Sequence, residues 1–364
     1  TNGEKVKKFE KKWSQWLGVK YSLFVSSGST ANFLLVAAMI EKYGLKKDDK
    51  VIVPACTWVT NVSPIIQLGL TPIFCDVNTD NYSFDINHLK EISQKNSDIK
   101  MVFVTHLLGF PAQIEIYKKI FPNALFIEDV CESHGATLDR KKAGTLSEGS
   151  TFSFYYGHHM TTIEGGMVCT DDEELYELML AKRSHGFARE TSSDSFSYYQ
   201  DIYSDIDPHF LFITDGYNFR NHEICAVLGL SQLKKLDLNI IKRRLNFERF
   251  LEILNKHDAY FIFPNPEGNS SFCFPILTRE KKLKTRLIKN LHDFGIETRP
   301  IISGNLLRQP FLKDYTLGKE NSIAEIVHNN GFYIGNNQFL GKNHFEKLDE
   351  VILMTINNIK KKKN

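Results

Sequence analysis

Two adjacent histidines, His158 and His159, stand between two strand-like runs. Upstream lies the apolar series Phe152, Phe154, Tyr155 and Tyr156, interrupted by Ser153. Downstream, a Glu164-Gly165-Gly166 turn leads into Met167-Val168-Cys169. A polar loop joining two strands places side chains at a sheet edge, where a rigid scaffold presents chemistry. With an ordinary pKa near ~6.5, an imidazole there can take and return a proton at neutral pH. The alternative is a hydrogen-bonded structural histidine. No lysine occurs between Ser150 and Thr170.

Three further sets of residues could serve a site. Ser26-Ser27-Gly28-Ser29-Thr30 ends a short strand and opens a helix. Backbone N–H groups at a helix N-terminus, with hydroxyls and a glycine beside them, form an anion cradle. The same residues also read as a plain helix start capped by Ser29 or Thr30. Asp129 closes the apolar run before it, at the carboxyl edge where open α/β sheets bind ligands. A buried carboxylate needs a cation, either a protonated ligand nitrogen or a distant Arg or Lys. Trp58 is core, or a flat surface on which a ring can stack.

Positioning these residues calls for a layered fold. Strands at Tyr21–Ser26, Val51–Pro54, Pro72–Asp76, Met101–Thr105 and Leu125–Glu128 alternate with helices at Thr30–Tyr43, Val59–Leu68, Ile86–Ile92 and Ile114–Ile120. That alternation predicts a doubly wound, mostly parallel sheet with helices on both faces. A leading amphipathic helix carries Val6, Phe9, Trp13, Trp16 and Leu17, and another helix covers Asp171–His185. Residues Gly186–Tyr217 show no period and read as a long loop of functional size. A long helix from His222 to Asn255 leads to a second unit with strands near Tyr260–Phe263 and Phe272–Leu277 and helices at Lys281–Phe294 and Phe345–Ile359. At 364 residues, a division into 1–240 and 241–364 is expected.

Composition excludes several classes. The formal net charge of +2 favours neither nucleic acid nor an anionic membrane. The Lys360–Lys363 run reads as a solvated tail, and the sequence opens on Thr1, so a longer natural N-terminus is expected. No apolar run reaches membrane-spanning length. The six cysteines have no CxxC spacing and read as buried thiols of a reducing cytoplasm.

The order of these features resembles the DegT family of nucleotide-sugar aminotransferases, pyridoxal-phosphate (PLP) enzymes of fold type I, aspartate aminotransferase-like. The stretches that carry the resemblance are SSGSTAN, PACTWVTNVSP, IEDVCESHGA, FSFYYGHHMTTIEGG, GYNFRNHEICAVLGLSQL and TRPIISGN. It implies a large doubly wound domain and a smaller C-terminal α/β domain. It implies that Ser27, Gly28, Ser29 and Ser153 hold the cofactor phosphate, that Trp58 stacks on the pyridine ring, and that Asp129 pairs with the ring nitrogen. Glu132 falls where the family places a Gln or Glu near the ring hydroxyl. Asn218 would reach the phosphate from the neighbouring subunit of a homodimer with shared sites. His185, Arg220 and Arg299 follow motifs that bind the sugar nucleotide; for both arginines a salt bridge is the alternative reading.

One departure decides the expected chemistry. Where the family's aminotransferases carry their Schiff-base lysine, this chain has His158. Imidazole forms no stable imine, so PLP or pyridoxamine phosphate (PMP) is expected to be held non-covalently, with His158 as acid and base. The His-His doublet resembles a branch of the family that removes the C3 hydroxyl from nucleotide-linked 4-keto-6-deoxy hexoses, using glutamate as amino donor. GDP-4-keto-6-deoxy-D-mannose is the best-matched substrate, in deoxysugar synthesis for surface polysaccharide. The other histidine-bearing branch carries cysteines for an iron–sulfur cluster after this helix. Gly186–Tyr217 has none, so no iron–sulfur cluster is expected. Two rivals are an aminotransferase using Lys141, Lys142 or Lys182, and a catalytically inactive family member.

Overall fold

Val51-Ile52-Val53, Val102-Phe103-Val104 and Phe126-Ile127 are apolar at successive positions, so both faces of their strands must be covered. All are buried. In a computed structural model, which describes residues 2–319 and 321–360, they form the parallel centre of a seven-stranded sheet. Its spatial order is Tyr21–Val25, Gly166–Thr170, Gly149–Ser153, Leu125–Asp129, Ile99–Thr105, Lys50–Pro54 and Thr71–Cys75. Gly166–Thr170 runs antiparallel to both of its neighbours, and the other pairings are parallel.

Alternation along the strands builds two cores. Leu23, Val25, Val51, Val53, Met101 and Phe103 pack with the helix Gly28–Tyr43 on one face. Phe24 faces the other side with the helix Glu4–Leu17, and Ile52, Val102 and Val104 share that face with Ile114 and Tyr117. The second unit is a four-stranded antiparallel sheet ordered Phe261–Ile262, Cys273–Thr278, Gly331–Gly335 and Thr298–Arg299. The helices Lys281–Asp293 and Lys342–Lys360 pack against one another beside it.

One helix, Glu223–Asn255, spans the expected division. Its buried residues up to Ile240 join the cluster of the first helix, and from Phe247 onward they join the core of the second unit. We propose that the two units divide along this helix.

Several local expectations are corrected. Residues 186–217 are not one loop: they contain the helix Ser193–Ile202 and short turns at Ala188–Glu190 and Pro208–Phe210. That helix buries no residue, which is why its sequence shows no apolar period. The helix expected over Val59–Leu68 splits into a 3-10 turn, Val59–Asn61, and a short α-helix, Ser63–Gln67, with Pro64 in its first turn. The helix Ile323–Asn330 and strand Gly331–Gly335 were not anticipated. Cys131 and Cys225 are only half-buried. Of the Lys360–Lys363 run, residues 361–363 lie outside the described residues, as does Thr1. Among the described residues no helix is long and apolar enough to cross a membrane.

Candidate active site

The turn after the first strand is a capped helix start, but the cap is Ser27, not Ser29 or Thr30. Ser27 Oγ accepts from Thr30 N (3.1 Å), and Thr30 Oγ1 accepts from Ser27 N (2.9 Å), a reciprocal box. The box uses the N–H groups of Ser27 and Thr30 and leaves those of Gly28 and Ser29 for another acceptor. Gly28 is required by proximity: a Cβ there would lie 2.6 Å from Ser153 Cβ and 3.1 Å from Cys131 Sγ. Gly166 is equally constrained, since its Cβ would meet Ser27 O at 2.2 Å. Two glycines thus let the strand Gly149–Ser153 and the helix start converge, with Ser153 beside the helix N-terminus.

Asp129 ends its strand at the carboxyl edge and is 3% exposed. Its Oδ1 accepts from Cys131 N (2.8 Å), and its Oδ2 accepts from Asn32 Nδ2 (2.8 Å) and Asn61 Nδ2 (2.7 Å). No lysine or arginine forms an ion pair with it among the described residues. The distant salt bridge weighed from sequence is therefore absent, which leaves the carboxylate without a cationic partner among the described residues.

His158 is half-buried and lines the same cavity. Its Nδ1–H donates to the Cys131 carbonyl, which can only accept, so the neutral ring carries its lone pair on Nε2. Burial lowers the pKa of His158 below its ordinary value, partly opposed by the Cys131 carbonyl and the Asp129 charge. The ring is a neutral base at pH 7. Glu132 Oε2 accepts from Leu108 N (3.0 Å), and burial raises its carboxyl to about 7, with the Asp129 charge adding to the shift. Trp58 is 54% exposed, so the core reading of this residue does not hold. Tyr155 and Tyr156 project beyond the end of the strand and are exposed at the cavity rather than continuing it.

The cavity, about 1020 Å³, gathers Ser27, Gly28, Ser29, Trp58, Asp129, Glu132, Ser153 and His158 with Arg299, Phe272 and Tyr333 of the second unit. Arg299 also pairs with Glu297 (3.2 Å), so both readings of it have a structural basis. Asn218, Arg220 and His185 are not among its lining residues. They bond to one another: Arg220 Nε donates to Asn218 Oδ1 (3.0 Å), and Arg220 Nη2 lies 3.4 Å from His185 Nε2. None of the rival lysines reaches the cavity. Lys182 pairs with Glu41 (2.6 Å) and Asp215 (2.5 Å), Lys142 lies over the Trp16 ring, and Lys141 faces Glu115 (3.7 Å). Lys347, on the last helix, does line the cavity.

Asn32, Asn61, the Cys131 carbonyl and the aromatic wall of Phe272 and Tyr333 were not foreseen. Asn32 and Asn61 sit inside the quoted stretches SSGSTAN and PACTWVTNVSP. Their only signal was a buried amide on a helix or turn next to a strand end. The donor set fits PLP: a helix N-terminus with two free N–H groups for a phosphate, an unpaired anionic carboxylate for a ring nitrogen, and an exposed indole for the ring face.

The comparisons with known proteins agree. The model of the DegT/DnrJ/EryC1/StrS aminotransferase family matches residues 1–348. GDP-4-keto-6-deoxy-D-mannose 3-dehydratase of Yersinia pseudotuberculosis is 40% identical over 349 residues, covering 93% of this chain and 88% of that protein. The structure of the E. coli enzyme of that name, with bound hydrated PLP, superposes with a TM-score of 0.87 at 37% identity, covering 97% of this chain and 92% of that one. A structure of a GDP-4-keto-6-deoxymannose-3-dehydratase with a trapped PLP–glutamate geminal diamine matches at TM-score 0.87 and 36% identity, covering 96% of this chain and 92% of that one. The chain belongs to the DegT/DnrJ/EryC1/StrS aminotransferase family.

Proposed function

We propose that this chain is a PLP/PMP-dependent 3-dehydratase that removes the C3 hydroxyl of a nucleotide-linked 4-keto-6-deoxy hexose. GDP-4-keto-6-deoxy-D-mannose is the substrate of choice and L-glutamate the amino donor. The observation that carries the reading is His158: an imidazole with Nδ1 anchored and Nε2 basic lines the cavity, at the position where the resemblance puts the family's lysine. Relatives at 40% and 38% identity are named for this reaction.

The free N–H groups of Gly28 and Ser29, with Ser27 and Ser153, hold the phosphate. Asp129 keeps the ring nitrogen protonated, Trp58 covers a ring face and Glu132 meets the ring hydroxyl. Bound there, the cofactor would supply an electron sink for carbanion chemistry and a site for the amino group that glutamate donates and that leaves as ammonia. His158 takes and returns a proton through Nε2: burial keeps the ring neutral, and the Cys131 carbonyl stabilises the imidazolium once formed. With no lysine in this loop, the cofactor is held by non-covalent contacts alone. With no cysteine in residues 186–217, no iron–sulfur cluster takes part.

The working unit is a homodimer. Ile224, Val227, Leu238, Ile241 and Leu245 form an exposed apolar stripe on the helix Glu223–Asn255, immediately after the Asn218 segment. A second copy covering that stripe lets Asn218 reach the partner's phosphate cradle, with Arg220 and His185 bonded behind it. Arg299 binds the sugar nucleotide from within the same chain.

The test is a turnover panel of nucleotide 4-keto-6-deoxy sugars with PLP and glutamate, reading ammonia and product mass. Ammonia release and loss of the C3 oxygen with the GDP sugar are expected. An amino sugar that keeps its C3 hydroxyl, together with a borohydride-fixed pyridoxyl group on the chain, marks an aminotransferase. Activity that appears only after iron–sulfur reconstitution ends the iron-free reading.

A further inference from the structure

The charge of Asp129 is held in an unusual way for a buried carboxylate. Asp129, Asn32, Asn61, Thr57 and Thr151 are each at most 3% exposed, so water does not solvate this group freely. In place of a lysine or arginine, two side-chain amides and one backbone N–H donate to it. The amides cannot turn over to present their oxygens. Asn32 Oδ1 accepts from Thr151 Oγ1 (2.5 Å), and Asn61 Oδ1 accepts from Thr57 Oγ1 (2.6 Å). Thr105 Oγ1 lies 2.9 Å from Thr57 Oγ1 and donates to it once Thr57 has donated to Asn61. Each chain of bonds therefore runs one way, ending with N–H groups aimed at Asp129.

The consequence is electrostatic. A guanidinium or ammonium in these places would cancel the carboxylate and compete with a ligand cation for it. Neutral amides stabilise the ionised form and leave its negative charge uncancelled. Three of the carboxylate's acceptor sites are filled by groups that only donate, which favours the ionised form over the acid.

We propose that Asn32 and Asn61 are positioning residues whose amides, oriented by Thr151 and Thr57, hold Asp129 ionised so that a ring nitrogen bound against it stays protonated. This rests on the PLP reading above. The network couples the cofactor's charge state to two hydroxyls in the sheet, Thr151 on its strand and Thr105 at a strand end.

The experiment loads the full-length protein with PLP labelled with nitrogen-15 in its ring and reads that nitrogen by NMR, alongside PLP affinity by fluorescence. Wild type gives a pyridinium resonance at about pH 8. Asn61→Leu and Asn32→Leu each move the resonance toward neutral pyridine and weaken PLP about tenfold, the scale of one hydrogen bond to a buried charge. Thr57→Val, which touches Asp129 only through Asn61, gives a smaller shift of the same sign and carries the test where a leucine variant does not fold. A merely structural role would lower the melting temperature and leave the resonance in place. A variant that folds, binds PLP and retains the full pyridinium signal overturns the proposal. A wild type that binds no PLP overturns the cofactor reading itself, a result distinct from the other.

Discussion

Asp129 and His158 converge on one cavity and are held by groups of their own chain, Asn32, Asn61 and the backbone of Cys131. Asn218, Arg220 and His185 also follow family motifs, yet they bond to one another and line no part of that cavity. The two groups lie close in space, since Phe219 O accepts from Ser26 N (2.9 Å) beside the helix start at Ser27. The difference lies in what surrounds them. The first group sits at strand ends, where a parallel sheet gathers residues from distant parts of the sequence. The second lies at the surface, where the Asn218–Arg220 segment passes the end of the helix Glu173–Arg183 and leads to a helix whose exposed stripe is apolar. On the proposed dimer, such a division would separate chemistry from completion: one chain would supply the proton-transfer group and ring contacts, and its copy the last phosphate contact.

The largest expected effect falls on the first group. His158→Asn keeps a polar side chain but removes the base, and dehydration should fall by ~10²–10⁴-fold. PLP affinity should be nearly unchanged, because the proposed phosphate cradle and the proposed ring contacts of Asp129 and Trp58 remain. Equilibrium dialysis with PLP and single-turnover assays separate the two quantities. Turnover at the wild-type rate would make His158 structural and remove the catalytic half of the comparison.

Complementation across the two groups gives a smaller, sharper signal. Asn218→Ala should weaken PLP retention in both sites of its homodimer. Paired with a His158→Asn subunit, it creates one site with both lesions and one site with neither. Tagged, verified heterodimers should recover roughly half of the wild-type activity, as two equivalent shared sites require. Heterodimers that recover nothing would place Asn218 in its own chain's site.

These assignments differ in how visible they were beforehand. Buried parallel strands announce themselves as apolar runs such as Val51-Ile52-Val53, and the end of such a run put Asp129 at the sheet edge. Nothing local marks Asn32 or Asn61 as partners of Asp129, because the contact spans 97 positions for one and 68 for the other. By residue type alone Trp58 could be core or a stacking surface, and only its position before the 3-10 turn Val59–Asn61, 54% exposed, decides between them. The helix Ser193–Ile202 escaped notice because it buries nothing, so its sequence never had to alternate. Chemistry at strand ends was legible, whereas the groups that orient it and the surface that completes it depend on tertiary placement.

Glu132 allows a finer test within the first group. Its folded pKa of about 7 lies above its ordinary 4.5, so between those values the folded protein holds a proton that the unfolded chain has lost. Its contribution to stability is thus full below about 4.5 and is lost as pH rises through about 7. Glu132→Gln should remove that loss in the apo-protein. The melting temperature of the variant should gain on wild type as pH rises from about 5 to about 8. A pH-independent difference would mean that Glu132 is ionised throughout, and its assignment to the ring hydroxyl would need a charged partner.

The smallest effect lies behind His158. His134 is fully buried, stacked on Phe152 (5.6 Å, 13°) and Phe154 (5.9 Å, 21°) and edge-on to Trp13 (5.7 Å). Neither of its ring nitrogens bonds to a protein atom among the described residues. Burial pushes its pKa well below the ordinary histidine value, as it does for His159. The sign is opposite to that of Glu132: stability from these neutral histidines is full above the ordinary 6.5 and is lost as pH falls, because the unfolded chain takes protons that the folded one refuses. His134→Phe keeps the aromatic stack and removes two polar atoms along with one titrating group. A gain on the order of ~1 kcal/mol is expected near neutral pH, the desolvation relieved being partly offset by the larger ring. That gain should grow below about pH 6, where wild type loses stability and the variant loses less. Denaturant melts at about pH 7.5 and about pH 5.5 would measure both parts, and dehydration should be unchanged, since His134 touches neither cradle nor ring contacts. If His134→Phe lowered activity and left stability alone, His134 would be acting on the proton affinity of His158, 6.3 Å away, and the boundary between chemistry and scaffold would lie one layer deeper than drawn here.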